Sequence, residues 1–238
     1  MYGYYGYGLY DPTMILVLIG AVLSLWASAK VKNTFNRYSS VRSMTGMTGA
    51  EAAQRLLNSQ GIYDVTVQPI AGELTDHYDP RTKTVNLSQS VYGATSVAAI
   101  GVAAHECGHA MQDNEGYAPL RFRSALVPAA NFGSKLSWPL ILLGLVFGGL
   151  GSPLVEIGIL MFSLAVLFQL VTLPVEYNAS ARAVRLLDSQ GILAGEEVSG
   201  TRKVLNAAAL TYVAAAATSI LQLLRLIILF GGRNRRDN

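Results

Sequence analysis

Two histidines separated by three residues, with a glutamate after the first, form the pattern in this chain that is best suited to chemistry. Residues 104–110 read AHECGHA, within an alanine-rich stretch that predicts a helix over residues 96–114. Four residues are slightly more than one helical turn, so His105 and His109 are expected on one face. Two imidazoles in that arrangement can bind a single metal ion.

Zinc is the metal that this pattern favours, because it binds imidazole and needs no redox chemistry. Glu106 follows the first histidine, where it can accept a proton from a water molecule that zinc activates. Two satisfied core histidines are the alternative, but Glu106 would then be a charge without a stated partner in an apolar helix. The motif therefore predicts a zinc hydrolase with His105 and His109 as ligands and Glu106 as general base.

A catalytic zinc normally has three protein ligands and one open position, so a third ligand is expected. The candidates are Asp113, His77 and Glu176. Asp113 can share the face of His109, although three ligands on one straight helix fit a metal badly. Glu176 follows Pro174, which places it in the first turn of a predicted helix that leaves the membrane. A glutamate there could equally complement a helix N-terminus without binding metal.

His77 has a second candidate role as a catalytic residue. With Tyr78 it could stabilise the oxyanion of a tetrahedral intermediate. Both side chains could equally belong to the turn that Asp79 and Pro80 predict.

Composition predicts a membrane protein. Apolar residues make up 51% of the chain and charged residues 14%, whereas globular proteins carry about a quarter charged residues. A span needs about 20 apolar residues, and the uncharged blocks that qualify are residues 12–29, 136–155, 157–175 and 204–224, the last continuing to 232. The glycine-rich break at residues 148–153 predicts a helical hairpin from the second and third blocks.

Basic residues predict the orientation of these spans. They are absent before the first block and cluster directly after it, before the second block, and between the third and fourth. The N-terminus is therefore expected outside, with both polar segments in the cytoplasm. If the last helix crosses the membrane fully, the basic tail would lie outside, against this rule. The last helix therefore either breaks the rule or bends back at the membrane surface. Arg225 is either a functional membrane charge or the point where the helix ends.

The polar segment before the hairpin predicts a small α+β region. Thr48 and Glu51 form a capping box for a helix that ends at Gly61. Residues 65–68 and 84–88 alternate like strands. The predicted division of the chain is an exposed N-terminal segment (1–11), a membrane helix (12–29), a catalytic region (30–119), a membrane hairpin (120–175), a cytoplasmic helical segment with the third ligand (176–203), a membrane or membrane-surface helix (204–232) and a basic tail (233–238).

Three stretches resemble one known family: LTDHYDPRTKTVNLS at residues 74–88, AAHECGHAMQ at 103–112 and LPVEYNASARA at 173–183. They are similar to the YugP-type family of bacterial membrane zinc metallopeptidases over nearly the whole chain. HECGH is generic to zincins, whereas the other two stretches are more specific. The arrangement resembles, more distantly, the HtpX-like heat-shock proteases and the prenyl-protein proteases.

The resemblance implies His105, His109 and Glu176 as zinc ligands and Glu106 as general base. It also implies a gluzincin-like fold, in which the edge strand of a small sheet lies beside the active helix. Residues 82–88 match that strand, and an exposed edge could bind an extended peptide by strand addition.

The expectation is a mainly α membrane protein of about four membrane helices with a small α+β zincin-like (gluzincin-like) catalytic region. Its expected activity is peptide-bond hydrolysis with Zn²⁺, acting on peptides or membrane proteins in a multi-pass cell-membrane location. The net charge of +3 and the position of the basic residues argue against nucleic acid as a partner. The alternatives are a membrane scaffold with a structural zinc, which the poorly placed Cys107 disfavours, and a zinc hydrolase with a non-peptide substrate.

Overall fold

The computed structural model describes residues 11–149 and 152–231, and these residues are mainly helical. The basic tail and all but the last residue of the expected N-terminal segment lie outside the described residues. The elements, in chain order, are α1 (Met14–Ser39), α2 (Gly49–Ser59), β1 (Thr66–Ile70), β2 (His77–Asp79), β3 (Thr84–Ser88), α3 (Gln89–Tyr92), α4 (Val97–Asn114), α5 (Ala118–Gly148), α6 (Pro153–Ser189) and α7 (Glu196–Phe230).

Four helices in the described residues, α1, α5, α6 and α7, are long and apolar enough to cross a membrane. This confirms the expected number of membrane-length helices. The break between the second and third blocks is also confirmed, because α5 ends at Gly148 and α6 begins at Pro153. The second block was expected to reach Val155, which is wrong, because Val155 belongs to α6. Proline favours the first position of a helix, so a new helix starts two residues earlier.

The long helices continue beyond the expected apolar blocks. α1 extends to Ser39, α6 extends to Ser189, and α7 begins at Glu196. Three of the predicted divisions, at residues 29, 175 and 203, therefore fall inside helices, and the predicted division of the chain stays a prediction. Proline within α5 and α6 is tolerated in membrane helices because neighbouring groups satisfy the freed backbone carbonyls.

Arg225 does not end its helix, because α7 runs through it to Phe230. Its guanidinium Nη2 lies 2.7 Å from Asp11 Oδ2, and its Nε donates to Thr13 Oγ1 at 3.2 Å. The charge within the last apolar block is thus paired with an acid beside the start of α1.

The chain forms two compact units, and each long helix contributes a part to both. The first unit comprises residues 1–26, 126–170 and 214–238, and its described part is helical. Its helices approach closely at small residues: a Cβ added to Gly158 would lie 2.9 Å from the carbonyl oxygen of Ser137. The second unit comprises residues 27–125 and 171–213 and contains the sheet, α2, α3 and α4.

The sheet of the second unit has the strand order β1-β3-β2. β3 pairs in parallel with β1 and antiparallel with β2, with Tyr78 opposite Val85. The strands expected near residues 65–68 and 84–88 are confirmed. The expectation that residues 82–88 form the edge strand is wrong, because β2 covers the side of β3 away from β1. A three-residue strand is too short to show alternation, so the sequence did not reveal it.

Helices α2 and α4 form the centre of the second unit. The capping box of α2 is confirmed, since the Thr48 side chain accepts from the Glu51 N–H and the Glu51 carboxylate accepts from the Thr48 N–H. Ser96 caps α4 by accepting from the Ala99 N–H at 3.2 Å. Most residues of α4 are buried, which explains why small apolar residues occur all round this helix.

Candidate metal centre

Helix α4 presents the two histidines of the HExxH motif side by side. The ring centroids of His105 and His109 are 4.8 Å apart and the rings are nearly perpendicular. Both side chains are largely buried, with 13% and 11% of their surfaces exposed. The one-turn spacing therefore gives the shared face that the sequence predicted.

Glu176 of α6 completes the group. Its Oε2 lies 3.2 Å from His105 Nε2 and 3.5 Å from His109 Nε2. One nitrogen from each histidine and one carboxylate oxygen all lie within 4.8 Å of one another, an arrangement that could hold a metal ion. The expectation that Glu176 lies in the first turn of a helix is wrong, because α6 begins at Pro153 and Pro174 lies in its interior. A role in complementing a helix N-terminus is therefore excluded.

Hydrogen bonds to the other ring nitrogens orient both histidines. His105 Nδ1 lies 3.1 Å from Ser180 Oγ, and His109 Nδ1 lies 3.0 Å from Gln112 Oε1. The Gln112 amide nitrogen donates to the Val175 carbonyl at 2.9 Å, which turns its oxygen toward the ring. His109 Nδ1 must then be the donor, which in the neutral ring leaves the lone pair on Nε2. Such outer partners typically fix the tautomer of a metal-binding histidine.

The donor set fits zinc. Two imidazole nitrogens and one carboxylate form one of the ligand sets found in catalytic zinc sites. Burial alone would lower the pKa of His109, but the nearby carboxylates of Glu176 and Glu106 outweigh it and raise the pKa above 6.5. A zinc ion would compete with that proton and satisfy the same carboxylate.

Glu106 is buried beside this group, with 8% of its surface exposed. Its Oε2 accepts a hydrogen bond from the backbone N–H of Tyr78 on β2 at 3.1 Å. With His105 and Glu176 it lines a cavity of about 220 Å³. The sheet edge beside the motif helix is therefore formed by β2, and a backbone amide of that edge orients the carboxylate.

Asp113 does not join the metal-binding group in the described residues. Its Oδ2 accepts from the Tyr78 hydroxyl at 2.8 Å and from Lys83 Nζ at 2.7 Å. Burial would raise the pKa of Asp113, but these two hydrogen bonds outweigh it and lower the pKa. Burial and the bond to Asp113 raise the pKa of Tyr78. Asp113 thus holds β2 and the following turn against α4.

His77 also lies outside the metal-binding group of the described residues. Its Nδ1 is 2.9 Å from the Thr75 carbonyl, and its Nε2 is 3.3 Å from Asn86 Nδ2. Both ring nitrogens therefore have partners within the sheet and the preceding loop. Its catalytic role stays a prediction.

Gly108 allows α4 and α6 to approach each other closely. A Cβ at this position would lie 2.6 Å from the Ala179 carbonyl oxygen. Ala179 is three residues after Glu176, so this contact helps to bring the glutamate to the histidines. Cys107 is fully buried on another side of α4, with its Sγ 3.6 Å from the Ala53 carbonyl.

Several residues near the site were not found from the sequence. Ser180 and Gln112 contact the Nδ1 atoms of the two histidines. Arg123 Nη1 lies 3.8 Å from Glu176 Oε1. Tyr212 of α7 lines the same cavity. Helical spacing from the motifs could have suggested the first two, since Ser180 is one turn after Glu176. The apolar sequence around Tyr212 carries no such signal.

The site contains two largely buried histidines, a glutamate from a second helix and an adjacent buried glutamate. Together they define a candidate metal-dependent hydrolase in a chain with membrane-length helices. Residues 13–231 match the family model described as "Putative neutral zinc metallopeptidase". The chain is 48% identical over 224 residues to "Putative membrane protease YugP" of Bacillus subtilis (strain 168), which covers 94% of this chain and 98% of that protein. No solved structure matches the chain.

The chain belongs to this zinc metallopeptidase family, as the three sequence stretches indicated. Its four membrane-length helices and its similarity to a membrane protease together support a membrane location.

Proposed function

We propose that this protein is a membrane-embedded zinc metallopeptidase that hydrolyses peptide bonds of membrane-associated proteins. The observation that carries the proposal is the convergence of His105, His109 and Glu176, with Glu106 lining the same cavity. Family membership supports it independently.

His105 and His109 would bind zinc through Nε2, and Glu176 through its carboxylate. Zinc, when bound, acts as a Lewis acid and lowers the pKa of a coordinated water to about 7. A structural site would normally be closed by four protein ligands. The described residues supply three ligands beside a cavity, which favours catalysis.

Glu106 takes the proton of the attacking water and returns it to the leaving amine. The N–H of Tyr78 holds the carboxylate in position, and Asp113 holds the Tyr78 hydroxyl. Tyr212 donates its hydroxyl hydrogen to the oxyanion that forms at the scissile carbonyl. His77 is the alternative donor, but it does not line this cavity.

The substrate binds in an extended conformation along β2, in the manner of zincin-like enzymes. β2 is an edge strand adjacent to the motif helix, so the outer backbone groups of β2 that are not bonded to Glu106 suit pairing with an extended peptide. The cavity is lined largely by apolar residues, including Phe35 of α1 and Leu205 of α7. This lining favours an apolar side chain, as in membrane-associated segments.

The central test is Glu106→Gln in the full-length protein. We expect bound zinc to be retained and turnover of a fluorogenic peptide to fall by roughly 10²–10⁴-fold, the usual contribution of a general base. Zinc content is measured by atomic absorption on the same samples. Glu73→Gln is the matched control, because Glu73 is exposed and does not line the cavity. Full turnover in Glu106→Gln would exclude the proposed mechanism.

The catalytic region is proposed to face the cytoplasm, as the basic residues directly after the first apolar block (residues 12–29) indicate. Cysteines introduced at Tyr5 and Asn58 test this with a membrane-impermeant thiol reagent on intact cells. We expect labelling at position 5 and none at position 58. The native Cys107 is buried and should stay unlabelled. The reverse pattern would place catalysis outside.

A further inference from the structure

A second cavity in the same unit, of about 550 Å³, shares no lining residue with the cavity at the candidate metal centre. Helices α1, α6 and α7 contribute its walls. The lining residues are Lys30, Thr34, Arg37, Tyr38, Tyr177, Lys203, Asn206, Ala207 and Leu210. We call it the basic pocket.

The basic pocket carries positive charge without compensation. Lys30, Arg37 and Lys203 line it, and no carboxylate does. None of the three cations forms an ion pair with another residue in the described part of the chain. Arg37 lies over the Tyr38 ring at 5.7 Å. The pocket therefore suits an anion, with the polar groups of Tyr177 and Asn206 available for further hydrogen bonds.

The pocket also lies where three helices change from polar to apolar sequence. Lys30 directly follows the uncharged block of α1, and Lys203 directly precedes that of α7. Tyr177 lies two residues after the uncharged block of α6. Cations and tyrosines at the ends of apolar blocks mark the level of the lipid headgroups. The anion available at that level is a phospholipid.

We propose that the basic pocket binds the phosphate-containing headgroup of an anionic glycerophospholipid. Lys30, Arg37 and Lys203 surround the phosphodiester, and Asn206 contacts the polar part of the headgroup. Residues 203, 206, 207 and 210 share one face of α7 and change from charged to apolar. Leu210 therefore lies where the first carbons of an acyl chain would run. Basic pockets between membrane helices are known to hold such headgroups.

The test is lipid binding by the purified full-length protein, measured by native mass spectrometry in neutral detergent. The binding of phosphatidylglycerol is compared with the binding of phosphatidylcholine over a range of lipid concentrations. We expect a clear preference for phosphatidylglycerol. The variant Lys30→Gln, Arg37→Gln, Lys203→Gln should bind phosphatidylglycerol roughly 100-fold more weakly, since each cation is worth about 1 kcal/mol, or about fivefold. Each single substitution should weaken binding about fivefold, which keeps the test valid if the triple variant folds poorly.

The matched control removes three cations of α1, the following turn and α7 that do not line the pocket: Lys32→Gln, Arg42→Gln and Arg202→Gln. We expect this variant to bind phosphatidylglycerol like the parent. If both triple variants bind phosphatidylglycerol equally weakly, binding depends only on net charge and the proposal is overturned. Equal binding of both lipids would also overturn it.

Competitors identify the source of the anion. Displacement of phosphatidylglycerol by millimolar inorganic phosphate would assign the pocket to free phosphate instead. Displacement by a short peptide with a free C-terminal carboxylate, but not by its amide, would assign it to substrate. Either result overturns the lipid proposal. Because the readout is lipid binding, it is independent of peptidase activity and can be repeated in Glu106→Gln protein.

Discussion

The two units of this chain use apolar residues in opposite ways. In the first unit large side chains such as Leu142 and Phe147 are exposed, at 63% and 81%, while glycines such as Gly158 meet neighbouring backbone. In the second unit Leu56 and Leu57 are fully buried and form part of a hydrophobic core. Lipid chains are as apolar as leucine, so helices in a membrane gain little by burying large side chains and pack through small ones.

This difference agrees with the position of the candidate metal centre in the second unit. In the second unit the two histidines, Glu106 and Glu176 each have a hydrogen-bond partner. Buried polar groups with fixed partners keep a defined geometry. In the described part of the first unit, Arg225 forms an ion pair with Asp11 near the start of α1. We therefore expect metal affinity to depend on polar contacts within the second unit.

The largest expected effect comes from removing a proposed ligand. His105→Ala, His109→Ala or Glu176→Gln should lower zinc affinity by more than roughly 100-fold, because even outer partners of a ligand contribute 10–100-fold. Zinc stoichiometry by atomic absorption after mild chelator dialysis measures this. His77→Ala is the matched control, since that histidine lies outside the group, and it should keep its metal. Zinc loss in His77→Ala with zinc retained in Glu176→Gln would reverse the ligand assignment.

A smaller effect is expected at Tyr212, which the proposal uses only when the oxyanion forms. Tyr212→Phe should keep its zinc and its KM and lower kcat by roughly 10²–10³-fold, as for removal of one oxyanion donor. Steady-state kinetics with the same fluorogenic peptide measure both constants, and Tyr63→Phe, at an exposed position, is the control. Unchanged kcat in Tyr212→Phe with a loss in His77→Ala would move the role to His77.

The sequence revealed those parts of the site that are local along the chain. The spacing of the HExxH motif predicted that His105 and His109 share one face of α4. Glu176 is 71 residues from His105. The residues alone left it open against two other candidates, and only family resemblance selected it. Its contact with both histidines depends on the packing of α6 against α4 at Gly108, which no local pattern describes.

Tertiary contacts also explain the wrong expectations. Pro174 was expected to mark a helix start, but it lies within α6. β3 was expected at the sheet edge, but β2 pairs with its other side, although β2 has only three residues. Asp113 helps to hold β2 through the Tyr78 hydroxyl, a side-chain contact that periodicity cannot predict. The position of Tyr212 depends on the packing of α7, an apolar helix, which periodicity cannot predict either.

The smallest expected effects come from replacing one glycine by alanine in each of the two units. An alanine Cβ at Gly108 would lie 2.6 Å from the Ala179 carbonyl oxygen, and one at Gly158 would lie 2.9 Å from the Ser137 carbonyl oxygen. Overpacking of this kind costs about 1–3 kcal/mol, so both variants should unfold at lower temperature than the parent. Gly93→Ala is the control, because nothing lies within 4 Å of its added Cβ.

Zinc affinity should separate the two glycine variants. Gly108→Ala pushes α6 away from α4 at a position three residues from Glu176, so zinc should bind more weakly. Gly158→Ala strains only helix contacts in the first unit, so zinc affinity should equal that of the parent while the unfolding temperature falls. Chelator competition on folded protein measures affinity, and thermal unfolding measures stability. Equal zinc loss in both variants would show that the first unit also sets the geometry of the metal site.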